Sequence, residues 1–333
     1  MILNFLNQIK FLGGVYLGWG VGANDTANIF GPAVATDAIK YKTAIIIAAI
    51  FILLGAVTEG PGLMKKIGDL AGDKFTITNA YASSDLALVS SLAAGLTIML
   101  LTYFSIPAST SQASIGSIMG IGIFLSGLGG AQWSEFLKIL FVWVVNPVGT
   151  AIVSFLLFKI LAVPVNNFIK SNLLYNRIFS ILLLLSGAYG AYALGASHAA
   201  VTTAPFYRSG VFGSPQSRNA AFLAALAGGI GMSTGVLTYS KKVMDTVGKK
   251  IAVLDPFSSF ICLTGAAATV HICKQIGVPV STSQAIVGSV TGVGMVKGVR
   301  TINFSSLIYI FLGWIMTPIA GAIFCILMIK IFL

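Results

Sequence analysis

The chain has few ionisable residues for its length, and this scarcity excludes several classes of protein. Its 333 residues include 9 Asp and Glu, 20 Lys and Arg and 2 His, so that 9% of the chain is charged while 56% is hydrophobic. Soluble domains carry roughly 25% charged residues. The composition therefore excludes an ordinary soluble domain and indicates a membrane protein.

Cysteine is also scarce, and the common enzyme motifs are missing. Cys262, Cys273 and Cys325 are scattered through apolar segments without the spacing of a metal site or a disulfide framework. The sequence contains no HExxH zinc motif and no nucleotide-binding P-loop. We therefore predict neither an enzyme nor a nucleotide-driven pump, and no cofactor.

Long apolar runs separated by short polar loops predict an all-α, multi-pass protein of the cell membrane. A helix needs about 20 apolar residues to cross a bilayer, so the runs predict about ten to twelve crossings. Basic residues lie mostly in the loops, which favours membrane topology and headgroup contact over nucleic acid binding. The predicted spans, of which the first and the sixth are interrupted, are 5–35, 43–60, 85–104, 109–128, 136–162, 178–206, 219–238, 252–275, 281–296 and 304–333.

One short polar motif occurs twice inside apolar sequence, about half the chain length apart. The first knot is PASTSQ at 107–112, and the second knot is PVSTSQ at 279–284. Polar, helix-breaking sequence at membrane depth is tolerated where it lines a cavity or is buried in protein. Paired breaks at matching positions of two halves point to a transporter binding site.

Other motifs recur in the same order and predict two repeats. Residues 22–32, GANDTANIFGP, match 195–205, GASHAAVTTAP, and Trp143 and Pro147 match Trp314 and Pro318. The loops 61–84 and 239–251 match as well, and their unequal charge favours halves that face opposite ways. We therefore expect an inverted repeat, with 1–162 as the first half, 163–177 as the linker and 178–333 as the second half.

Asp25 is the most informative single residue, because an ionisable group inside a membrane is a functional hypothesis by default. Asn24 and Asn28 add amide oxygens, and Gly20 and Gly22 would let the helix unwind and expose carbonyl oxygens. Such oxygens are ligands for a hard cation such as sodium. Alternatively, Asn24 or Asp25 caps a helix that starts after a glycine break, and both roles are compatible.

The knots suit an oxyanion, since hydroxyls donate hydrogen bonds and a following helix offers free N–H groups and the positive end of its dipole. Gln112 and Gln284 could donate to the anion or give an oxygen to a cation. The alternative is that the hydroxyls only pack or cap helices. The candidate hydroxyls are those of Ser109, Thr110, Ser111, Ser281, Thr282 and Ser283.

Together, GANDTANIFGP at 22–32, PASTSQASIG at 107–116 and PVSTSQAIVG at 279–288 resemble the inorganic phosphate transporter (PiT) family over nearly the whole chain. The resemblance implies an inverted-repeat membrane fold with broken helices and re-entrant STSQ segments, often as a homodimer. It implies phosphate uptake coupled to sodium or protons. It carries Asp25, Asn24 and Asn28 over as substrate and cation residues and both STSQ segments as the anion cradle.

The second half departs from the family pattern. Ser197 and His198 replace the Asn and Asp of a second GAND motif, and Val201 replaces a later Asn. His198 could contact the anion, carry a coupling proton or form a hydrogen bond inside the bundle.

The choice of substrate depends on the proton that phosphate retains near neutral pH. Asp25 can accept this proton, whereas sulfate has no proton to donate and would be repelled by the carboxylate. A hydrogen-bond donor at His198 mildly favours sulfate. We therefore expect a phosphate symporter that works by alternating access. A sulfate or other tetrahedral oxyanion permease of the same family and an anion channel are the alternatives.

Overall fold

The computed structural model describes residues 9–70, 80–128, 133–215, 217–249, 251, 254–276 and 280–332. Several sequence predictions extend beyond these residues. Residues 5–8, 252–253 and 333 of three predicted spans, residues 71–79 of the loop 61–84 and Pro279 of the second knot lie outside the described part of the chain.

The described residues form α-helices and contain no β-strand, so the all-α prediction is confirmed. Helices suit a membrane because each satisfies its own backbone hydrogen bonds. A short 3-10 turn, Val299–Thr301, precedes the last helix. The helices are α1 (Leu12–Ala35), α2 (Tyr41–Leu70), α3 (Ala80–Tyr103), α4 (Thr110–Ser126), α5 (Trp133–Phe168), α6 (Asn172–Arg208), α7 (Arg218–Tyr239), α8 (Lys241–Lys249), α9 (Pro256–Ile276), α10 (Thr282–Lys297) and α11 (Phe304–Phe332).

Seven helices in the described part of the chain are long and apolar enough to cross a membrane, namely α2, α3, α5, α6, α7, α9 and α11. The expected total of about ten to twelve crossings is not confirmed by this criterion. Helix α1 is long enough but too polar, while α4 and α10 have only 17 and 16 residues. The four exceptions among the described helices are thus the helix that carries Asp25, the two helices that begin at the knots and the nine-residue α8.

The predicted helix breaks are not in the GAND and GASH segments, because α1 and α6 run through them without interruption. The glycines allow close helix packing instead of unwinding. A methyl group on Gly22 would collide with the carbonyl of Met232 in α7, and one on Gly20 would lie 3.2 Å from Ile98 in α3. The non-helical segment at 104–109 directly precedes the first knot helix, α4.

The predicted linker is mostly helical. Helix α5 extends to Phe168 and α6 begins at Asn172, so only 169–171 lie between the two helices. Both helices extend beyond the predicted span limits at 162 and 178, and so include the polar residues that suggested a linker. The division of the chain into two halves remains a prediction.

Each knot helix packs against a long helix from the other half of the chain. Helix α4 packs against α11, and α10 packs against α5. The contacts match between the two pairs, since Gly116 lies against the backbone of Pro318 and Gly288 against the backbone of Pro147. Because the four residues recur in the sequence repeat, the same close contact is built twice.

We expect Gly288→Ala to destabilise the protein, because the added methyl group would meet the backbone of Pro147, which cannot move aside cheaply. Overpacking of this kind costs about 1–3 kcal/mol, which would lower the midpoint of thermal unfolding in detergent. Gly149→Ala in α5 is the control, since a methyl group there meets no atom within 4 Å. Equal loss of stability in both variants would contradict the packing role of Gly288.

Candidate functional site

Helix α1 lies at the centre of the bundle and buries its polar residues. It contacts α3, α6, α7 and α8, and every residue from Val21 to Ala33 is buried. The side chain of Asp25 is 1% exposed. A buried carboxylate needs hydrogen-bond donors or a cation to offset its desolvation.

Both knots supply a hydroxyl group to Asp25. Thr110 Oγ1 of the first knot donates to Asp25 Oδ2 at 2.8 Å, and Ser283 Oγ of the second knot donates to Asp25 Oδ1 at 3.0 Å. The Ser283 hydroxyl also lies within reach of the Ala108 carbonyl. The structure therefore brings two segments that are distant in sequence to one carboxylate.

The two knots use different positions to reach Asp25. Thr110 and Ser283 are not equivalent in the repeat, since Thr110 matches Thr282 and Ser283 matches Ser111. Ser111 bonds to Ser109 at 3.1 Å, and no described residue bonds to the Thr282 hydroxyl. Each oxygen of Asp25 therefore accepts from a different position of the repeated motif.

The first hydroxyl of each knot caps the helix that follows. Ser109 accepts a hydrogen bond from the backbone N–H of Gln112, and Ser281 accepts one from that of Gln284, each at 3.3 Å. For these two serines the structure therefore shows helix capping, which was the alternative to anion binding. Because the caps fix where α4 and α10 start, they direct the positive ends of both helices at the site.

The two asparagines of α1 have different surroundings. Asn24 donates to Thr102 Oγ1 at 2.8 Å and to the Ile106 carbonyl at 3.1 Å, and its own oxygen accepts from the Ala108 N–H at 2.9 Å. It thus holds the chain that leads into the first knot. Asn28 donates to Ser283 Oγ at 3.0 Å, while its oxygen has no hydrogen-bond partner among the described residues.

Side chains of the long helices also hold the knots, and the sequence did not assign them to the site. Trp314 Nε1 donates to the Pro107 carbonyl at 3.1 Å, and Asn146 Nδ2 donates to the Ser281 carbonyl at 2.9 Å. Trp314 is part of the sequence repeat, and Asn146 directly precedes a repeated proline, Pro147. The repeated Trp and Pro positions were the sequence signal that could have identified Trp314 and Asn146.

Several buried oxygens of α1, α4 and α10 have no hydrogen-bond partner among the described residues. Such atoms are costly to bury, so their concentration on α1, α4 and α10 indicates a place for a polar ligand. Amide and carboxylate oxygens fit a hard cation such as sodium, and hydroxyls fit an anion. The atoms are Thr26 Oγ1, Asn28 Oδ1, Gln112 Oε1, Ser114 Oγ, Thr282 Oγ1 and Gln284 Oε1.

His198 faces Asp25 from α6, with its Nε2 atom 3.5 Å from Asp25 Oδ2. On its other side, Nδ1 lies 2.9 Å from Ser197 Oγ. The Ser197 hydroxyl donates to the Ala193 carbonyl at 2.8 Å, which assigns the donor role in the serine–histidine bond to Nδ1. A neutral His198 therefore presents an unprotonated Nε2 to Asp25, and a proton or cation between them would satisfy both acceptors.

Comparison with known proteins identifies the family of this chain. The sequence profile described as "Phosphate transporter family" matches residues 21–325. The chain belongs to the phosphate transporter family. The resemblance found in the sequence is thus confirmed, and the family is one of transporters rather than enzymes. The matched region contains Asp25, His198 and both knots.

Relatives from this family cover nearly the whole chain. It is 28% identical over 395 residues to a protein of Pyrococcus furiosus named as a candidate phosphate permease, covering 97% of this chain and 95% of that one. It is 25% identical over 427 residues to inorganic phosphate transporter 2-1, chloroplastic, of Arabidopsis thaliana, covering 98% and 72%.

A solved structure of this family shares the fold. It is described as "The sodium-dependent phosphate transporter", and it matches all of both chains with 26% identity and a TM-score of 0.83. Together with its apolar helices, this likeness makes the present chain a multi-pass integral membrane protein.

Proposed function

We propose that the protein is a symporter that carries inorganic phosphate across the membrane together with a coupling cation. The observation that carries this proposal is the geometry at Asp25, where one buried carboxylate receives a hydroxyl from each knot. A site built from both halves of a chain can be exposed to either side of the membrane when the halves move relative to each other.

Phosphate fits the hydrogen-bonding groups better than sulfate does. The knots offer hydroxyl donors and two helix N-termini, which suit the oxygens of either anion. Asp25 and the neutral form of His198 are acceptors, and hydrogen phosphate brings a proton that they can accept. Sulfate brings none, so it would leave Nε2 of His198 without a donor and would meet the negative charge of Asp25.

A sodium ion fits the carboxylate and amide oxygens near the hydroxyl groups of the two knots. Asp25, Asn28, Gln112 and Gln284 together offer a carboxylate and three amide oxygens. Such an oxygen set suits a hard cation, which would also neutralise Asp25 so that a phosphate anion can approach. The sodium dependence of the similar solved transporter supports sodium in preference to a proton as the coupling ion.

Alternating access would follow from the way in which the two halves are joined. Asp25, Thr110 and Ser283 are all buried, so the site is closed to solvent. The matched packing of α4 on α11 and of α10 on α5 supports an inverted repeat with halves 1–162 and 178–333 and the linker 163–177. Movement of the α4–α11 pair relative to the α10–α5 pair would open the site towards one side of the membrane at a time.

The test is uptake of radiolabelled phosphate by proteoliposomes that contain the purified protein, with sodium and proton gradients imposed separately. We expect an inward sodium gradient to drive phosphate accumulation that excess unlabelled phosphate abolishes and excess sulfate does not. Equal competition by sulfate would support an oxyanion permease. Phosphate flux that needs no cation gradient, with stepwise currents, would support an anion channel.

We expect His198→Gln to slow sodium-driven phosphate uptake about ten-fold and to flatten its pH dependence. The first effect follows from loss of the imidazole nitrogen that would accept the phosphate proton beside Asp25, and glutamine cannot exchange a proton as histidine does. The control is His271→Gln on α9, which changes the other histidine of the chain. An unchanged rate and pH profile in His198→Gln would make His198 a packing residue.

A further inference from the structure

An apolar groove of about 780 Å³ runs along the protein between α5, α10 and α11. Its walls consist almost entirely of apolar side chains from both halves of the chain. It is separate from the polar atoms around Asp25 described above. Among the residues that line this groove are Trp143, Val148, Phe155, Met295, Leu307 and Trp314.

On α5 the groove is lined from Trp143 to Leu156, which spans roughly 20 Å at about 1.5 Å per residue and can accommodate an acyl chain of one leaflet. The contact of Asn146 with Ser281 places one end at the depth of the knots. If the knots form the proposed transport site, this depth is near the bilayer midplane, where the sites of transporters built from inverted repeats lie. Lys159 lies on the same helix roughly 20 Å farther along, at about 1.5 Å per residue. One leaflet of hydrocarbon is about 15 Å thick, so Lys159 would reach the headgroup level.

Lys159 lies directly at the groove wall at this outer end. Its Nζ atom is 4.6 Å from the ring centre of Phe155, which lines the groove. The side chain can therefore lay its apolar stem on the wall and keep its charge among the lipid headgroups.

A second basic side chain lies at the same end. Arg300 is exposed in the 3-10 turn after α10. Thr301 Oγ1 donates to the Gly294 carbonyl at 3.2 Å and so holds this turn beside the groove-lining Met295.

The nearby acidic group does not neutralise either residue. Asp255 pairs with Lys297 at 2.5 Å. Burial alone would raise the pKa of Asp255, but hydrogen bonds from Lys297 and Ser258 hold that pKa below its usual range. Among the described residues no acidic side chain pairs with Lys159 or Arg300.

We propose that the groove binds an anionic phospholipid, whose acyl chain lies against Trp143 and Trp314 and whose phosphate contacts Lys159 and Arg300. The apolar walls suit any acyl chain, and the two basic groups select a headgroup with net negative charge. The bound chain would lie beside both knots. Trp314 holds the first knot through Pro107, and the groove-lining Gly288 belongs to α10, which begins at the second knot.

The tryptophans of the groove provide a direct test. In a Trp19→Phe, Trp133→Phe background, only Trp143 and Trp314 remain of the 4 tryptophans. The protein is reconstituted into phosphatidylcholine vesicles with increasing brominated phosphatidylglycerol or, separately, brominated phosphatidylcholine. We expect brominated phosphatidylglycerol to quench the tryptophan fluorescence at a lower mole fraction than brominated phosphatidylcholine does. The difference should be about five-fold for each basic side chain.

Matched variants separate headgroup recognition from general lipid contact. Lys159→Gln and Arg300→Gln should each reduce the selectivity about five-fold, whereas Lys170→Gln, an exposed lysine after α5, should leave it unchanged. Val148→Phe should fill the groove and weaken quenching, and Val145→Phe should not, since Val145 is exposed on α5 but does not line the groove.

Equal quenching by the two lipids, or selectivity that survives the Lys159→Gln, Arg300→Gln double change, would overturn the proposal. Weak quenching by both lipids together with a crosslinked dimer would also overturn it, because a second copy of the chain would then cover the groove. The readout does not require transport, so its failure is distinguishable from failure of the proposed symport.

Discussion

Asp25→Asn is expected to lower sodium-driven phosphate uptake by at least about 30-fold while the protein remains folded. The amide keeps the shape of the carboxylate but removes the charge that would bind a cation and one acceptor for the hydroxyls of Thr110 and Ser283. Loss of one partner from a buried, hydrogen-bonded charge pair costs about 2–5 kcal/mol, which corresponds to this loss of rate. Uptake into proteoliposomes measures the effect, and size-exclusion chromatography in detergent verifies the fold.

Asp85→Asn is the matched control for this substitution. Asp85 forms an ion pair with Lys10 at 2.6 Å and is 34% exposed at the start of α3. A partly exposed pair contributes about 0–1 kcal/mol, so we expect nearly normal uptake. Normal sodium-dependent uptake by the Asp25 variant would contradict the assignment of the carboxylate to the site.

Ser283→Ala should reduce phosphate uptake by about 10- to 100-fold and raise the phosphate concentration for half-maximal rate. The change removes one donor to Asp25 and leaves the amide of Asn28 without its acceptor. Each buried polar group left unsatisfied costs about 1–3 kcal/mol. The effect is measured as initial uptake rate against phosphate concentration.

Ser289→Ala makes the same chemical change on the same helix at a distance from Asp25. Its hydroxyl is fully buried and bonds to Ser154 Oγ at 2.5 Å and to the Cys262 carbonyl at 2.8 Å. We expect this variant to lose some stability and to keep its affinity for phosphate. If both serine variants lose phosphate affinity equally, the effect comes from the packing of α10 rather than from the hydroxyl at Asp25.

The position of the site could be predicted from the sequence because polar residues stand out in apolar runs and the knots are repeated. The continuity of α1 could not be predicted in the same way. Gly20 and Gly22 are compatible with a helix break or with close packing, and only the approach of Met232 and Ile98 decides between them. That information lies on other helices and leaves no local signal.

The roles of the individual hydroxyls were also beyond the reach of the sequence. The letters STSQ are identical in both knots, yet Thr110 reaches Asp25 from one and Ser283 from the other. Ser109 and Ser281, by contrast, cap their helices. Which hydroxyl reaches Asp25 depends on how α4 and α10 are placed relative to α1, and the motif itself does not encode that placement.

The packing of each knot helix on the opposite half has a consequence for biosynthesis. Helix α4 packs against α11, and the Pro107 carbonyl accepts a hydrogen bond from Trp314, so the first knot depends on residues that leave the ribosome after α1 to α10. Membrane insertion of α1 to α10 can therefore precede completion of the site. A nascent chain that stops before α11 would contain every residue around Asp25 and still lack the support that positions the first knot.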